Sequence, residues 1–172
     1  EGFILLMPYG RSNTEFMGVG ESDVLKTIGF VRAEYNVDPQ RIILSGASMG
    51  GSGAYSIACH RPDLFAGVMV ITARVDYYEW MGIVKESLPR FKQIQMDADY
   101  ARDLLPNLRH VPVLIFHGEH DTTVQISQAR LMQRLMRDLG QQCELVIFPG
   151  MGHIGTWSMA FLHEKFTDML RN

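Results

Sequence analysis

The sequence predicts a single α/β domain over residues 1–172, with a compact, mostly parallel sheet of about five strands and helices on both faces. Three observations predict it. Short runs that are apolar throughout recur along the chain, as strands covered on both faces do. Segments with apolar residues at helical spacing separate them. Residues with reactive side chains follow the ends of three of these runs, where open parallel sheets place their ligand sites.

Taken in order, the strands are Phe3–Met7, Arg41–Ser45, Gly67–Thr72, Val113–His117 and Glu144–Phe148. Val24, Ile28, Val31 and Tyr35 repeat at helical spacing behind the polar start Glu21-Ser22-Asp23. Leu131, Leu135, Met136 and Leu139 form a second stripe, with Ser127 as N-cap and Gly140 as stop. Phe161, Leu162, Phe166, Met169 and Leu170 form the last stripe. The stretch Ala73–Val111 is the least regular and carries Tyr77, Tyr78, Trp80, Phe91 and Tyr100. It reads equally as a small helical cap with an aromatic wall or as a surface excursion packing its own aromatics.

The most informative motif is Gly46-Ala47-Ser48-Met49-Gly50, between the apolar run Arg41–Ser45 and the small-residue stretch Gly51-Ser52-Gly53-Ala54. Strand, sharp turn and helix with a serine at the apex is the layout of a nucleophile elbow. The strained serine backbone requires small neighbours, and glycine stands two positions before and two after. The turn lifts the Ser48 hydroxyl above the strand ends and aims the first helical N–H groups at the same space. A serine needs a base, and the base an orienting acid. His117-Gly118-Glu119-His120-Asp121 follows one strand and Pro149-Gly150-Met151-Gly152-His153 another, so His153 is the candidate base, with Asp121 and Glu119 as competing acids.

In these motifs the chain resembles an α/β-hydrolase of the bacterial esterase and prolyl-oligopeptidase-like group. Asp38-Pro39-Gln40-Arg41-Ile42 before the elbow, Ser48-Met49-Gly50-Gly51, His60-Arg61-Pro62-Asp63-Leu64-Phe65-Ala66, His117-Gly118 with Asp121, and Pro149-Gly150 with His153 carry the resemblance, which covers nearly the whole chain. It implies Ser48 as nucleophile, His153 as base, Asp121 rather than Glu119 as acid, and the Met49 N–H as one oxyanion donor. In that fold lids and pockets are inserted where Ala73–Val111 stands, which makes Tyr77, Tyr78 and Trp80 the candidate substrate-binding residues.

The resemblance also implies strands that the sequence lacks. Phe3–Met7 corresponds to the family's strand just before the elbow unit, the three N-terminal strands are absent, and one of these lies beside the nucleophile strand in the complete fold. A gap there would leave backbone groups unpaired. Membership of a longer protein, a second copy, or a shifted first strand would each resolve this. The expectation is a reduced α/β-hydrolase fold in which Phe3–Met7 moves directly beside Arg41–Ser45. That shift would bring the Tyr9 N–H to Ser48 as second oxyanion donor. The remaining open edge favours a homodimer.

With 47% apolar and 20% charged residues the composition is that of an ordinary globular domain. A net charge of −3 gives no reason to expect nucleic acid or an anionic membrane as partner. Gly2–Met7 is too short for a signal peptide. The compartment stays unassigned, the cytoplasm being favoured. Cys59 and Cys143 read as reduced, buried thiols. His117, Glu119, His120 and Asp121 have no recognised metal-ligand spacing, and no metal or organic cofactor is expected. Arg11 reads as a surface arginine. The expected activity is a serine carboxylesterase acting on small or aromatic esters. The alternatives are a prolyl-oligopeptidase-type peptidase and a non-catalytic module of the same fold.

Overall fold

Four strands form one all-parallel sheet in the order β1 (Ile43–Ala47), β2 (Gly67–Ile71), β3 (Val113–Gly118), β4 (Cys143–Phe148), in a computed structural model that describes residues 2–171. Glu1 and Asn172, the ends of the expected single domain, lie outside the described residues. Neighbouring parallel strands need long crossovers. Here helices supply them: α2 (Met49–His60) joins β1 to β2, α3 (Tyr77–Met81) and α4 (Arg90–Asp99) lie between β2 and β3, and α5 (Ile126–Asp138) joins β3 to β4. Before the sheet stands α1 (Val19–Glu34), and after it α6 (His153–Leu162) and α7 (Glu164–Arg171).

The two-residue period of a strand divides the core into two layers. Val68 and Val70 of β2, with Val113 and Ile115 of β3, pack with α1, α2 and α5 through Val24, Ile28, Ala54, Ile57, Ala58 and Met132. Met69 and Ile71, with Leu114 and Phe116, pack on the other face with Ala160, Trp157, Phe166 and Met169 of α6 and α7. The central strands β2 and β3 are buried from end to end, which is why their sequences show no alternation.

Three expectations are corrected. The sheet has four strands, because Phe3–Met7 forms none; residues 2–9 run without regular structure. Phe3, Leu5 and Met7 are 71%, 73% and 81% exposed, and only Leu6 of the run packs against the core. Among the described residues β1 therefore pairs only with β2. An apolar run becomes a strand only where an edge lies within hydrogen-bonding reach, and the loop that follows this one is anchored elsewhere. Phe16 sits against Gly10, Gly50 and Gly53, and Glu15 pairs with Arg74 at 2.8 Å. These anchors hold Glu15 and Phe16 against the end of β2 and α2, while Gly10 lies between Phe16 and Gly20 of α1. Second, the last apolar stripe is two helices broken at His163, leaving Phe161 and Leu162 exposed. Third, α5 begins at Ile126 behind Gln125 with no side-chain cap, so Ser127 lies inside the helix. Its stop is as expected: Gly140, at φ 68°, donates to the Arg137 carbonyl at 2.9 Å.

The segment between β2 and β3 is partly exposed and partly core. α3 and α4 stand outside, whereas Ala101, Leu105 and Leu108 of the 3-10 turn Ala101–Leu108 are buried against α2. Among the described residues no helix is long and apolar enough to cross a membrane.

His60, at the end of α2, ties α1 to α4. Its Nδ1 faces Glu21 Oε2 and its Nε2 the Ala98 carbonyl, both at 2.9 Å. Both partners only accept, so the imidazolium alone satisfies both. Burial opposes the charge, but the bonds to Glu21 and the Ala98 carbonyl, with the charges of Glu21 and Asp99, outweigh it and raise the pKa. A raised folded-state pKa gives stability that is full below the unfolded value near 6.5 and is lost as pH rises through the folded value. Between pH 5.5 and pH 8 wild type should lose more of its urea midpoint than His60→Gln. Parallel pH dependence in the two proteins would remove the ion-pair role.

Candidate active site

Ser48 stands between β1 and α2 with φ 53° and ψ −118°, a conformation that L residues avoid. Its N–H donates to the Ile71 carbonyl at 2.8 Å, which fixes the turn to the end of β2. The helix's own bonding begins beyond it: Gly51 and Ser52 both donate to the Ser48 carbonyl at 3.0 Å. The Met49 N–H is thus one of the first helical donors, which have no partner within their own helix.

The glycines of the motif are unequal. A Cβ on Gly46 would lie 2.1 Å from the Gly50 carbonyl oxygen, so this close approach of strand to helix admits only glycine. A Cβ on Gly51 would meet Ala73 at 2.7 Å and Val70 at 2.9 Å. On Gly50 it would touch only Phe16, at 3.7 Å, an ordinary contact. The steric demand of the turn falls on Gly46 and Gly51, not on the glycine two places after the serine.

His153 opens α6 behind the turn at Gly150, which lies at φ 69°. Its Nε2 is 2.9 Å from Ser48 Oγ and its Nδ1 is 2.7 Å from Asp121 Oδ2. The carboxylate only accepts, so Nδ1 carries the proton and the Nε2 lone pair faces the serine hydroxyl. Asp121 is buried, and its charge is met by three donors. Oδ1 accepts the N–H groups of Thr123 and Val124, each at 2.9 Å, and Oδ2 accepts His153. Such a line can draw a proton off a hydroxyl and stabilise the imidazolium that forms.

The loops that carry acid and base are laced together. Glu119 donates its N–H to the Phe148 carbonyl at 3.0 Å, and His120 donates to Met151 O at 2.9 Å. A Cβ on Gly118 would lie 2.4 Å from Met151 O, so only glycine lets the two loops approach. Glu119, the competing acid, turns the other way and accepts the Gly150 N–H at 3.2 Å. His117 is fully buried and its Nε2–H donates to Val124 O at 2.8 Å. Burial lowers its pKa, so it stays neutral beside Asp121 and adds no competing charge. Burial pushes the thiols of Cys59 and Cys143 up to about 12, which keeps both protonated.

The expected pocket residues separate. Tyr77 stacks on Tyr100 at 4.7 Å and lies 5.6 Å from Trp80. The Trp80 indole donates to the Thr123 carbonyl, in the Asp121 loop, at 2.9 Å. Tyr78 is bound instead to α4, its hydroxyl 3.1 Å from Asp97 Oδ1, and takes no part in that group. Tyr9 is exposed, and with Phe3–Met7 off the sheet the reason for expecting its N–H beside Ser48 falls away. Arg11 is a surface residue paired with Asp23 at 2.6 Å.

Sequence reasoning missed Arg74, Glu15 and Gln128. Arg74 leaves the end of β2, and its N–H and Nε both donate to Ser52 Oγ on α2, at 3.2 and 3.3 Å. Its guanidinium lies 4.3 Å from the Trp80 ring and holds Glu15. Gln128 Oε1 accepts the next two N–H groups, Val75 at 3.0 Å and Asp76 at 2.9 Å. The one available signal was position: Arg74 is a charged residue just past the carboxyl end of a wholly apolar strand.

A family model for the prolyl oligopeptidase family matches residues 13–170. Acyl-protein thioesterase 1 of Gibberella zeae is 28% identical over 115 residues, which are 67% of this chain and 42% of that protein. Among solved structures a thermostable esterase superposes with TM-score 0.67 at 21% identity, over 86% of this chain and 35% of that one. Porphyromonas gingivalis dipeptidyl peptidase 4 gives TM-score 0.73 at 20% identity, over 91% and 23%. At these identities the structural likenesses speak to the fold, and the chain spans less than half of each of these proteins.

The glycine geometry sets a contrast in stability. Gly46→Ala forces the turn apart and should cost more than about 3 kcal/mol or prevent folding. Gly50→Ala, in a helix with room for its methyl, should stay within about 1 kcal/mol of wild type. Urea unfolding of the two variants checks this, and equal losses would contradict it.

Proposed function

Because the chain belongs to the prolyl oligopeptidase family of serine hydrolases, we propose that it cleaves small or aromatic carboxylic esters through an acyl-enzyme on Ser48. One observation carries the reading: the unbroken line from Ser48 Oγ through His153 to buried Asp121, at 2.9 and 2.7 Å, on a strained turn. Ser48 Oγ bonds to the ester carbonyl carbon while its proton passes to His153 Nε2. The oxyanion forms against the Met49 N–H. Collapse breaks the bond to the leaving alcohol, whose oxygen takes the proton back from Nε2. Water then attacks the acyl-enzyme by the same relay and releases the acid. Asp121 holds the imidazole tautomer throughout and stabilises its charged form.

Esters with good leaving groups are favoured on chemical grounds. An activated ester demands less of the oxyanion hole than an amide does, each donor there being worth about 10²–10³ in rate. Tyr77 and Trp80 offer an aromatic wall beside the Asp121 loop, suited to a short or aromatic acyl group. Tyr78 has no part in this wall. The second reading, a peptidase, is favoured by the family itself and uses the same line, with His153 protonating an amine in place of an alcohol.

A fluorophosphonate probe should label wild type and not Ser48→Ala. Asp121→Asn should lower kcat by about 10⁴, whereas Glu119→Gln costs far less, since only the former leaves the imidazole in the wrong tautomer. A panel of nitrophenyl esters and aminoacyl nitroanilides separates the readings. Turnover confined to short and aromatic esters supports the esterase, and turnover of anilides the peptidase. Activity rising steadily to long acyl chains contradicts the pocket, and absence of both labelling and turnover leaves a non-catalytic module.

A further inference from the structure

We propose that Trp80 is a positioning residue: with Arg74 it forms a tie between the helix that carries the Ser48 turn and the loop that holds Asp121. The inference rests on the reading of Ser48, His153 and Asp121 as the reacting line, and assigns Trp80 a role beyond that of a pocket wall.

The connection after β2 passes between α2 and the start of α5 and is bonded to both. On the α2 side, Arg74 gives its N–H and Nε to Ser52 Oγ. Ser52 lies in the first turn of α2 and donates both its N–H, at 3.0 Å, and its hydroxyl, at 3.4 Å, to the Ser48 carbonyl. On the α5 side, Val75 and Asp76 give their N–H groups to Gln128. Asp76 then caps α3 by accepting the Glu79 N–H at 3.1 Å, which places Trp80 on a fixed turn. The buried Asp76 carboxylate is also paired with Arg102.

From that turn Trp80 reaches the acid loop. Its indole N–H donates to the Thr123 carbonyl, while the N–H groups of Thr123 and Val124 hold Asp121 Oδ1. One face of its ring lies 4.3 Å from the Arg74 guanidinium, whose charge is matched by Glu15. A cation held over an indole attracts it, and a planar guanidinium also stacks on it. The tie thus runs Ser48 carbonyl, Ser52, Arg74, Trp80, Thr123, Asp121. Every joint is a hydrogen bond or a stack, and its two ends are the elements that must stay in register for His153 to bridge them. Bonds behind a reactive group orient it, as outer partners orient the ligands of a metal site. Among the described residues His117, whose pKa burial lowers, lies 3.6 Å from Asp121 Oδ2, and the Trp157 ring lies 5.7 Å from the His153 imidazole.

The test uses Trp80→Phe, which keeps an aromatic side chain at the position and removes the N–H to Thr123 together with part of the ring area. Four quantities are read on the intact chain: kcat and KM on a nitrophenyl ester, the rate of fluorophosphonate labelling, and the downfield proton resonance of His153 Nδ1–H. Loss of the bond should lower kcat and the labelling rate by roughly threefold to tenfold, the worth of one hydrogen bond, with KM little changed. The Nδ1–H resonance should broaden as Asp121 loosens. The charge-balanced pair Glu15→Gln with Arg74→Met cuts the tie at its other end and should give the same signature. A raised KM with kcat and resonance unchanged would make Trp80 a wall residue and overturn the proposal. If wild type neither turns over nor labels, yet its resonance is sharp and is lost in Trp80→Phe, the tie stands and the hydrolase reading fails.

Discussion

Ser48 is held in a backbone conformation that costs a non-glycine residue about 1–3 kcal/mol, and the surrounding structure is arranged around that strain. Its N–H is fixed to the end of β2, its carbonyl starts the bonding of α2, and Gly46 gives up its side chain so that Gly50 can pass at contact distance. Gly51 lets Val70 and Ala73 approach from the neighbouring strand, and Gly53 receives Phe16. The small-residue face of α2 is therefore not merely a helix that packs closely. It is the means by which a strained turn is pressed against the sheet and kept there.

The same logic of close approach extends to the acid and the base. A buried carboxylate is tolerated only when its oxygens are met by donors. Asp121 meets this with two backbone N–H groups of its own loop and one imidazole N–H from another strand's loop. The two loops come near enough because Gly118 has no side chain to hold them apart. His117 completes the arrangement by staying neutral, since a second charge there would compete for the carboxylate. Three strands of one parallel sheet thus deliver three side chains to one place, and backbone hydrogen bonds, more than side-chain contacts, set their spacing.

Around this centre the chain is less regular. The loop of residues 10–18 places Arg11, Ser12, Glu15 and Phe16 at positive φ, between 54° and 63°. What holds it is the Glu15–Arg74 pair, the Phe16 contacts on α2 and the Thr14 hydroxyl donating to Gly10 O at 2.7 Å. The apolar run ahead of it leaves Phe3, Leu5 and Met7 exposed, and among the described residues β1 pairs on one side only.

By itself the sequence determined the layered α/β class, four of the strands, and the three residues Ser48, Asp121 and His153 that the structure joins in one line. These were legible because each depends on local rules. Continuous apolar runs mark buried strands, and a serine between strand and helix with glycine beside it marks a strained turn. A histidine after a Gly-rich turn at a strand end marks a third element aimed at the same place. The choice of Asp121 over Glu119 already needed a likeness to known sequences, since both stand in one short loop. Only the tertiary structure decided the rest. Whether Phe3–Met7 pairs depends on which edge comes within reach of it, and that is set by anchors at Glu15 and Phe16, far from the run's own composition. Whether Tyr78 or Trp80 faces the acid loop depends on a five-residue helix whose phase is fixed by Asp76 and Gln128. Arg74 was invisible as a tie because a lone arginine acquires that role only when Ser52, Trp80 and Glu15 meet around it, and they come from three separate parts of the chain.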